Sequence, residues 1–195
     1  MSGDFYKEWR TYAEVDYFSQ FILLWLSTNA WYRSHYAEIT SRKDRDFLER
    51  LRSDHSPRNK LYFRFERAIS SPSIKENREL LSIIEALSFG LNRATLFWDD
   101  DTHTQPINFD NCLTATATAT APKSFGPLTV KKNASGIVIS DNLKLLDSKD
   151  EIFNCLLEII YKVRCLLVHG DLEPSTDNHE VVKQCYALLH LFMRF

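Results

Sequence analysis

The chain has 195 residues, of which 44% are hydrophobic and 13% aromatic, which suits one domain with a packed core. Its formal net charge of −2 shows that the chain as a whole is not basic, so any contact with nucleic acid must depend on a local basic patch. The start of the chain has no secretory pattern, and the longest apolar block near it, residues 21–26, is too short to span a bilayer. We therefore expect a cytoplasmic protein with no membrane association.

The cysteine pattern fits the same expectation. The four cysteines, at positions 112, 155, 165 and 185, include no C-x-x-C pair. Cys155, Cys165 and Cys185 lie within apolar helical patterns, which predicts buried and reduced thiols.

The first half of the chain predicts helices joined by short polar segments. Apolar residues at helical spacing predict a first long helix over residues 9–36, buried on more than one side. Residues 42–52 are mostly polar and have few apolar anchors, that is, large apolar side chains that can pack in a core. A break at residues 55–57 precedes a second predicted helix over residues 60–69. The next helix opens at residues 71–73 and extends to about residue 91.

Helical periodicity stops between about residues 99 and 140. The Thr/Ala tract at residues 114–122 has no bulky face, which predicts a loose loop or a weak edge strand. Residues 128–130 and 137–139 flank the sequence K-K-N-A-S-G, and this pattern predicts a short β-hairpin. We interpret residues 99–140 as an insertion that is either functional or mobile.

Two helices are predicted after the insertion. A capping box at residues 148–151 starts the first, and Gly170 ends it. Asp177 is predicted to start the last helix. The predicted fold is a single all-α domain over residues 1–195, an antiparallel helical bundle with a long loop or β-hairpin insertion at about 99–140.

Arg164 and His169 are the candidate catalytic residues. Five residues apart on a helix, they are separated by about 140° around the axis and about 7.5 Å along it. They meet either when the arginine folds over the end of its own helix or when a two-fold axis brings a second copy alongside. Histidine can transfer protons near neutral pH, and the arginine fork can stabilise a charged phosphorane. The pair predicts RNA cleavage through the ribose 2′-hydroxyl, without a metal or another cofactor.

Other interpretations of these patterns remain open. The same spacing occurs at Arg50 and His55, in a polar stretch that ends at a turn. The structural alternative is that His169 satisfies the last carbonyls of its helix while Arg164 pairs with a nearby acid. The sequence D-D-D-x-H at residues 99–103 could hold a metal ion, but no second cluster completes its ligand shell.

Four further residues are candidates to line the site: Asn29, Tyr161, Cys165 and Asp171. For Asn29, a hydrogen bond in the core is favoured over a lining role, and for Tyr161 packing in the core is favoured. Residues 33–67 carry ten basic and six acidic side chains. This segment is either an RNA-binding face or, as we favour, ordinary mixed surface charge.

The sequence Y-K-V-R-C-L-L-V-H-G-D at residues 161–171 resembles the HEPN superfamily, whose hallmark is arginine, four to six residues, then histidine near the end of a long helix. Residues 21–32 are similar to the first core helix of several HEPN groups. The resemblance covers the helical parts, roughly residues 9–90 and 145–195. It implies a helical bundle that forms a homodimer, often with ribonuclease activity at the dimer cleft. It also implies a place in defence or toxin–antitoxin systems, with an antitoxin or another defence-system protein as partner.

Arg164 and His169 occupy the motif positions of that family. Active members usually have a polar residue directly after the arginine, whereas Cys165 and Leu166 follow it here. Some members lack activity and serve as binding modules. Two hypotheses follow: a dimeric endoribonuclease, or a non-catalytic module that dimerises or binds a protein, a nucleotide or RNA.

Overall fold

The computed structural model describes residues 16–94, 96–99, 104–114 and 125–195. This part of the chain is mostly helical and has only short two-stranded sheets, as the periodicity predicts. The helices are α1 (Tyr17–His35), α2 (Asp44–Ser53), α3 (Lys60–Ser70), α4 (Lys75–Arg93), α5 (Lys149–His169) and α6 (Thr176–Phe192). The strands are β1 (Phe97–Asp99), β2 (Thr104–Pro106), β3 (Leu113–Thr114), β4 (Phe125–Gly126), β5 (Ile137–Val138) and β6 (Lys144–Leu145). None of these helices is long and apolar enough to cross a membrane.

Polar side chains fix the starts of the two C-terminal helices. Ser148 caps α5 and accepts a hydrogen bond from the backbone N–H of Glu151, which confirms the predicted start. The cap of the last helix lies two residues earlier than predicted. Ser175, rather than Asp177, is its cap and accepts a hydrogen bond from the Asn178 N–H at 3.2 Å. The predicted first helix is confirmed over α1, and residues 9–15 lie outside the described ranges.

The polar segment after residue 42 forms the helix α2. Its buried residues Phe47, Leu48 and Leu51 lie on one face, and the other face is charged. Arg45 and Arg52 of that charged face reach α5, where they pair with Glu158. Ion pairs to a neighbouring helix therefore supplement the few apolar anchors that α2 has.

The C-terminal helix α6 lies at the centre of the bundle and packs most extensively against α4 and α1. Aromatic rings from three helices meet in this core. Phe65 of α3, Phe153 of α5 and Phe192 of α6 are fully buried, with ring centroids 5.4–5.9 Å apart. At the close approach of α4 to α6, a β-carbon on Gly90 would lie 3.3 Å from Val181. This packing holds α5 and leaves its last turn, residues 166–169, at the surface.

The insertion has a different strand pairing from the predicted hairpin. Residues 137–138 pair with β6 instead of with residues 128–130, and Thr129 forms a bridge to Leu145 in β6. The predicted hairpin is therefore wrong, because the leucine-rich segment around β6 contacts both predicted strands. Leu128 and Leu145 are fully buried, which anchors this part of the insertion in the core. A side chain at Gly136 would clash with the backbone oxygen of Leu145, so glycine permits this approach.

Residues 115–124, which hold most of the Thr/Ala tract, lie outside the described ranges, so its prediction is not tested. Its first residue, Thr114, belongs to β3 and pairs with Phe125. Two further antiparallel pairs, β1 with β2 and β5 with β6, make up the other sheets of the described insertion.

A disulfide joins the insertion to α5. Cys112 and Cys155 are bonded, with their α-carbons 5.4 Å apart. The prediction of a reduced Cys155 is therefore wrong, because pairing in the fold brings Cys112 to the helix from 43 residues away. Cys165 and Cys185 are free and buried, as predicted. Disulfides are typical of oxidising compartments, so this bond gives no support to the expected cytoplasmic location.

Candidate active site

Arg164 points from α5 toward α1 and α2. Its Nη2 lies 3.4 Å from Oδ2 of Asp44 in α2, and its guanidinium carbon lies 5.5 Å from the ring centroid of Trp25 in α1. Its Nη1 lies 3.8 Å from the Cys165 sulfur. The side chain remains 20% exposed. An ion pair and a ring therefore hold the guanidinium at the surface between three helices.

Asp44 is the centre of a polar cluster that includes two of the predicted site residues. Asn29 donates a hydrogen bond to Asp44 Oδ1 at 2.9 Å, and Arg33 donates to the same oxygen at 2.6 Å. Arg33 also donates to the Asn29 side-chain oxygen at 2.6 Å. Asn29 and Arg164 are therefore linked through one carboxylate. A phosphate at Arg164 would compete with Asp44 for the guanidinium.

His169 is the last residue of α5 and its side chain is exposed. The left-handed Gly170, with φ 80°, ends the helix as predicted, and the Asp171 N–H donates to the Leu166 oxygen at 2.9 Å. These backbone groups cap the helix, so the imidazole is not needed for that purpose. Its side chain forms no hydrogen bond or ion pair within the described ranges.

An open cleft of about 440 Å³ separates the end of α5 from the first strand of the insertion. Residues 96–99 line one side, and Cys165, Leu166, His169 and Asp171 line the other. Three predicted site residues therefore share this cleft. The contacts of Arg164 lie in a different direction, toward α1 and α2. Within one chain, the arginine does not fold over the helix end to meet His169.

Comparison with known proteins does not assign this site. No family model, curated protein or solved structure matches the chain. The interpretation therefore depends on the chemistry of the residues at the end of α5 and on their arrangement.

Tyr161 packs behind the cleft wall, against Trp98, and is not among the residues that line the cleft. Its ring centroid lies 6.2 Å from that of Trp25 and 6.3 Å from that of Trp98. Burial, with the neighbouring Cys165 thiol, raises the pKa of Tyr161 to about 12. The phenol therefore stays protonated near neutral pH and is not available as a general base. Its packing agrees with the favoured interpretation of Tyr161 as a core residue.

A buried ion network supports the helix beneath the site. The Glu158 carboxylate, whose side chain is 6% exposed, accepts two hydrogen bonds from Arg45, at 3.0 and 2.9 Å. Arg52 lies 3.2 Å and Lys162 lies 3.9 Å from the same carboxylate. Burial lowers the pKa of Arg45, but the charge and hydrogen bonds of Glu158 outweigh burial and raise it. The network ties α2 to the middle of α5, one turn from Tyr161.

The second pair with the same spacing, Arg50 and His55, has other contacts. Arg50 stacks over the ring of Tyr36, and His55 Nδ1 lies 3.2 Å from Asp150 Oδ2. His55 therefore has an acidic partner, whereas His169 lines an open cleft and has no such partner in the described ranges, which favours His169 over His55 as the candidate residue.

Several basic side chains of the segment at residues 33–67 form ion pairs within the fold. Arg33, Arg45, Arg52 and Arg58 all form ion pairs with carboxylates. This pairing agrees with the favoured interpretation as mixed surface charge. Of the D-D-D-x-H sequence at residues 99–103, which was not favoured as a metal site, only Asp99 is described. The described residues contain no group of three or more His, Cys, Asp and Glu side chains that could hold a metal ion.

The sequence interpretation missed Asp44, Phe97 and Trp98 at the site. Asp44 lies in the polar segment that was not assigned to a helix, and 120 residues of sequence separate it from Arg164. Phe97 and Trp98 were a detectable signal, because two adjacent aromatic residues stand four and five residues after the end of α4. Such a pair at the start of an insertion is a candidate wall for a cleft.

Proposed function

We propose that the protein is a metal-independent endoribonuclease of HEPN type that acts as a two-fold dimer. The observation that carries the proposal is the exposed His169 on an open cleft, on the same helix as a partly exposed arginine. A histidine without a structural partner is available to transfer protons. The proposal extends to the biological context that the HEPN resemblance implies, a defence or toxin–antitoxin system with a protein partner.

A dimer is the arrangement that can bring the two groups to one phosphate. Arg164 contacts α1 and α2, whereas His169 lines the cleft beside β1, so they face different neighbours. We therefore propose that Arg164 of one protomer and His169 of the partner subunit act on the same phosphate. The two helices that carry Trp25 and Arg164 also carry exposed apolar side chains, which support a docking surface on them: Leu23 and Leu26 on α1, and Val168 on α5.

The proposed chemistry begins with attack of the ribose 2′-hydroxyl on the adjacent phosphorus. His169 accepts the hydroxyl proton and, once protonated, donates it to the departing 5′-oxygen. Arg164 stabilises the charge that builds on the non-bridging oxygens, for which its planar fork is suited. The products are a 2′,3′-cyclic phosphate and a 5′-hydroxyl. No metal ion is needed, because histidine and arginine supply the proton transfer and the charge.

A second candidate is a non-catalytic module that dimerises or binds a protein, a nucleotide or RNA. The ion pair between Arg164 and Asp44 favours it, because the arginine already has an anionic partner in the same chain. The hydrogen bonds from Asn29 and Arg33 hold Asp44 in place for that pair. In this alternative Arg164 joins helices and His169 contributes only to a binding surface.

Incubation with single-stranded RNA in EDTA distinguishes these candidates. The endoribonuclease should cleave RNAs of varied sequence in EDTA and leave 2′,3′-cyclic phosphate ends, detected by mass spectrometry. Cleavage that disappears in EDTA, or products with 3′-hydroxyl ends, would contradict the proposed chemistry. Absence of cleavage across all the RNAs would favour the binding module.

A further inference from the structure

The cleft between β1 and the end of α5 has the size and lining of a ligand pocket. Its volume of about 440 Å³ falls within the range of about 300–1,000 Å³ that is usual for small-molecule sites. Phe97 and Trp98 contribute aromatic rings to one side, and His169 lies on the other. Aromatic side chains stack on the faces of nucleobases, so a flat heteroaromatic ring suits this cleft.

The rigidity of the aromatic wall also suits stacking. The ring of Trp98 lies 5.8 Å from the Lys162 ammonium and packs beside Tyr161, so α5 holds it in position. Phe97 is 49% exposed and remains open to a ligand. The strand pairing of Trp98 with Gln105 fixes the backbone of this wall.

The charged groups of the cleft favour binding of a nucleobase over binding of a phosphate. Asp99 and Asp171 line the cleft, and His169 is the single basic side chain among the described residues that line it. Two carboxylates repel a phosphate but accept hydrogen bonds from the amino groups of a base. The phosphate then lies outside the cleft, where an arginine can reach it.

We propose that this cleft is a nucleobase subsite that prefers guanine to uracil, an inference that rests on the proposed action on RNA. Guanine presents an imino N–H and an amino group side by side, and one carboxylate can accept both. Uracil presents a single imino N–H between two carbonyl oxygens, so it donates one hydrogen bond to a carboxylate while the flanking oxygens are repelled. Adenine and cytosine each present an amino group and rank between them. Because His169 lines the same cleft, cleavage falls on the 3′ side of the bound guanosine.

Binding of uncleavable RNA tests this subsite separately from catalysis. The probes are fluorescent hexamers with 2′-O-methyl riboses, which lack the nucleophile: one of six uridines, and one with a single central guanosine. The protein should bind the guanosine hexamer about tenfold more tightly than the uridine hexamer in fluorescence anisotropy. Phe97→Ala should weaken binding of the guanosine hexamer by a similar factor, and Asp99→Asn with Asp171→Asn should remove the preference for guanosine.

Two matched variants control for the loss of an aromatic ring or a carboxylate elsewhere. Phe89→Ala removes a ring that is 62% exposed on α4, and Asp141→Asn removes an exposed carboxylate in the insertion. Neither should change hexamer binding, and circular dichroism should show that all variants are folded. The proposed subsite would be contradicted by equal affinity for the two hexamers. It would also be contradicted if Phe97→Ala and Phe89→Ala weakened binding of the guanosine hexamer equally.

Failure of the subsite and failure of the ribonuclease give different results. If the protein cleaves RNA in EDTA but binds both hexamers equally, the ribonuclease stands and the subsite is wrong. If it prefers the guanosine hexamer but cleaves no RNA, the subsite stands as part of a binding module.

Discussion

Replacement of His169 by alanine should lower the rate of RNA cleavage by about 10²–10⁴-fold, the usual contribution of a positioned general acid or base. Its side chain is exposed and the helix cap is made by the backbone of residues 170 and 171, so the fold should be unchanged. Single-turnover cleavage with excess enzyme measures the chemical step, and circular dichroism checks the fold.

Arg164→Ala should lower the same rate by about 10²–10³-fold, because it removes charge stabilisation of the phosphorane. Arg164→Lys should recover little of the lost cleavage rate, because the lysine ammonium lacks the planar guanidinium that donates two parallel hydrogen bonds. Asp44 keeps its hydrogen bonds from Asn29 and Arg33 in both variants, so it is not left without partners.

Arg50→Ala and His55→Ala are matched controls for these variants, because this pair has the same spacing. Their contacts with Tyr36 and Asp150 lie away from the cleft. Both control variants should cleave RNA at the wild-type rate. Wild-type cleavage by His169→Ala would remove the assigned role of His169.

Replacement of Glu158 by alanine should lower the free energy of unfolding by about 3–5 kcal/mol, the cost of removing one partner from a buried ion network. Its carboxylate is shared by Arg45, Arg52 and Lys162, and the Glu158 and Lys162 side chains are only 6% and 7% exposed. The variant keeps these cations in a poorly hydrated environment without the shared carboxylate. Unfolding in urea, followed by circular dichroism, measures the change.

Glu49→Ala is the matched control for Glu158. Glu49 also pairs with Arg45 and Arg52, at 3.1 and 3.5 Å, but its side chain is 54% exposed. An exposed pair contributes at most about 1 kcal/mol, so the control should change the free energy of unfolding by less than that. A cost for Glu158→Ala no larger than that for Glu49→Ala would show that burial does not strengthen the network.

Local patterns in the sequence predicted the helices well. The boundaries of α5 follow from a capping serine at its start and a glycine at its end, and both act within one turn of the chain. The position of the candidate histidine at a helix end follows directly from these signals. The helix α2 escaped detection because its stability depends on ion pairs with Glu158, more than 100 residues later.

Long-range pairing accounts for the features that the sequence did not predict. The insertion hairpin was wrong because a local rule pairs neighbouring apolar segments, whereas β6 pairs with one of them and bridges to the other. The disulfide required Cys112 to reach α5, which no spacing in the sequence indicates. Asp44 is likewise one of many acidic residues in the sequence. Only the fold shows that it lies beside the Arg164 guanidinium.

We propose above that Arg164 of one protomer and His169 of the partner subunit act on one phosphate, and a mixed dimer tests this arrangement most directly. Co-expression of Arg164→Ala and His169→Ala chains with different affinity tags allows the mixed dimer to be purified. That dimer has one composite site with both residues intact, so it should recover about half of the wild-type cleavage rate under two-fold symmetry. A mixed dimer no more active than the two parent variants would contradict the claim.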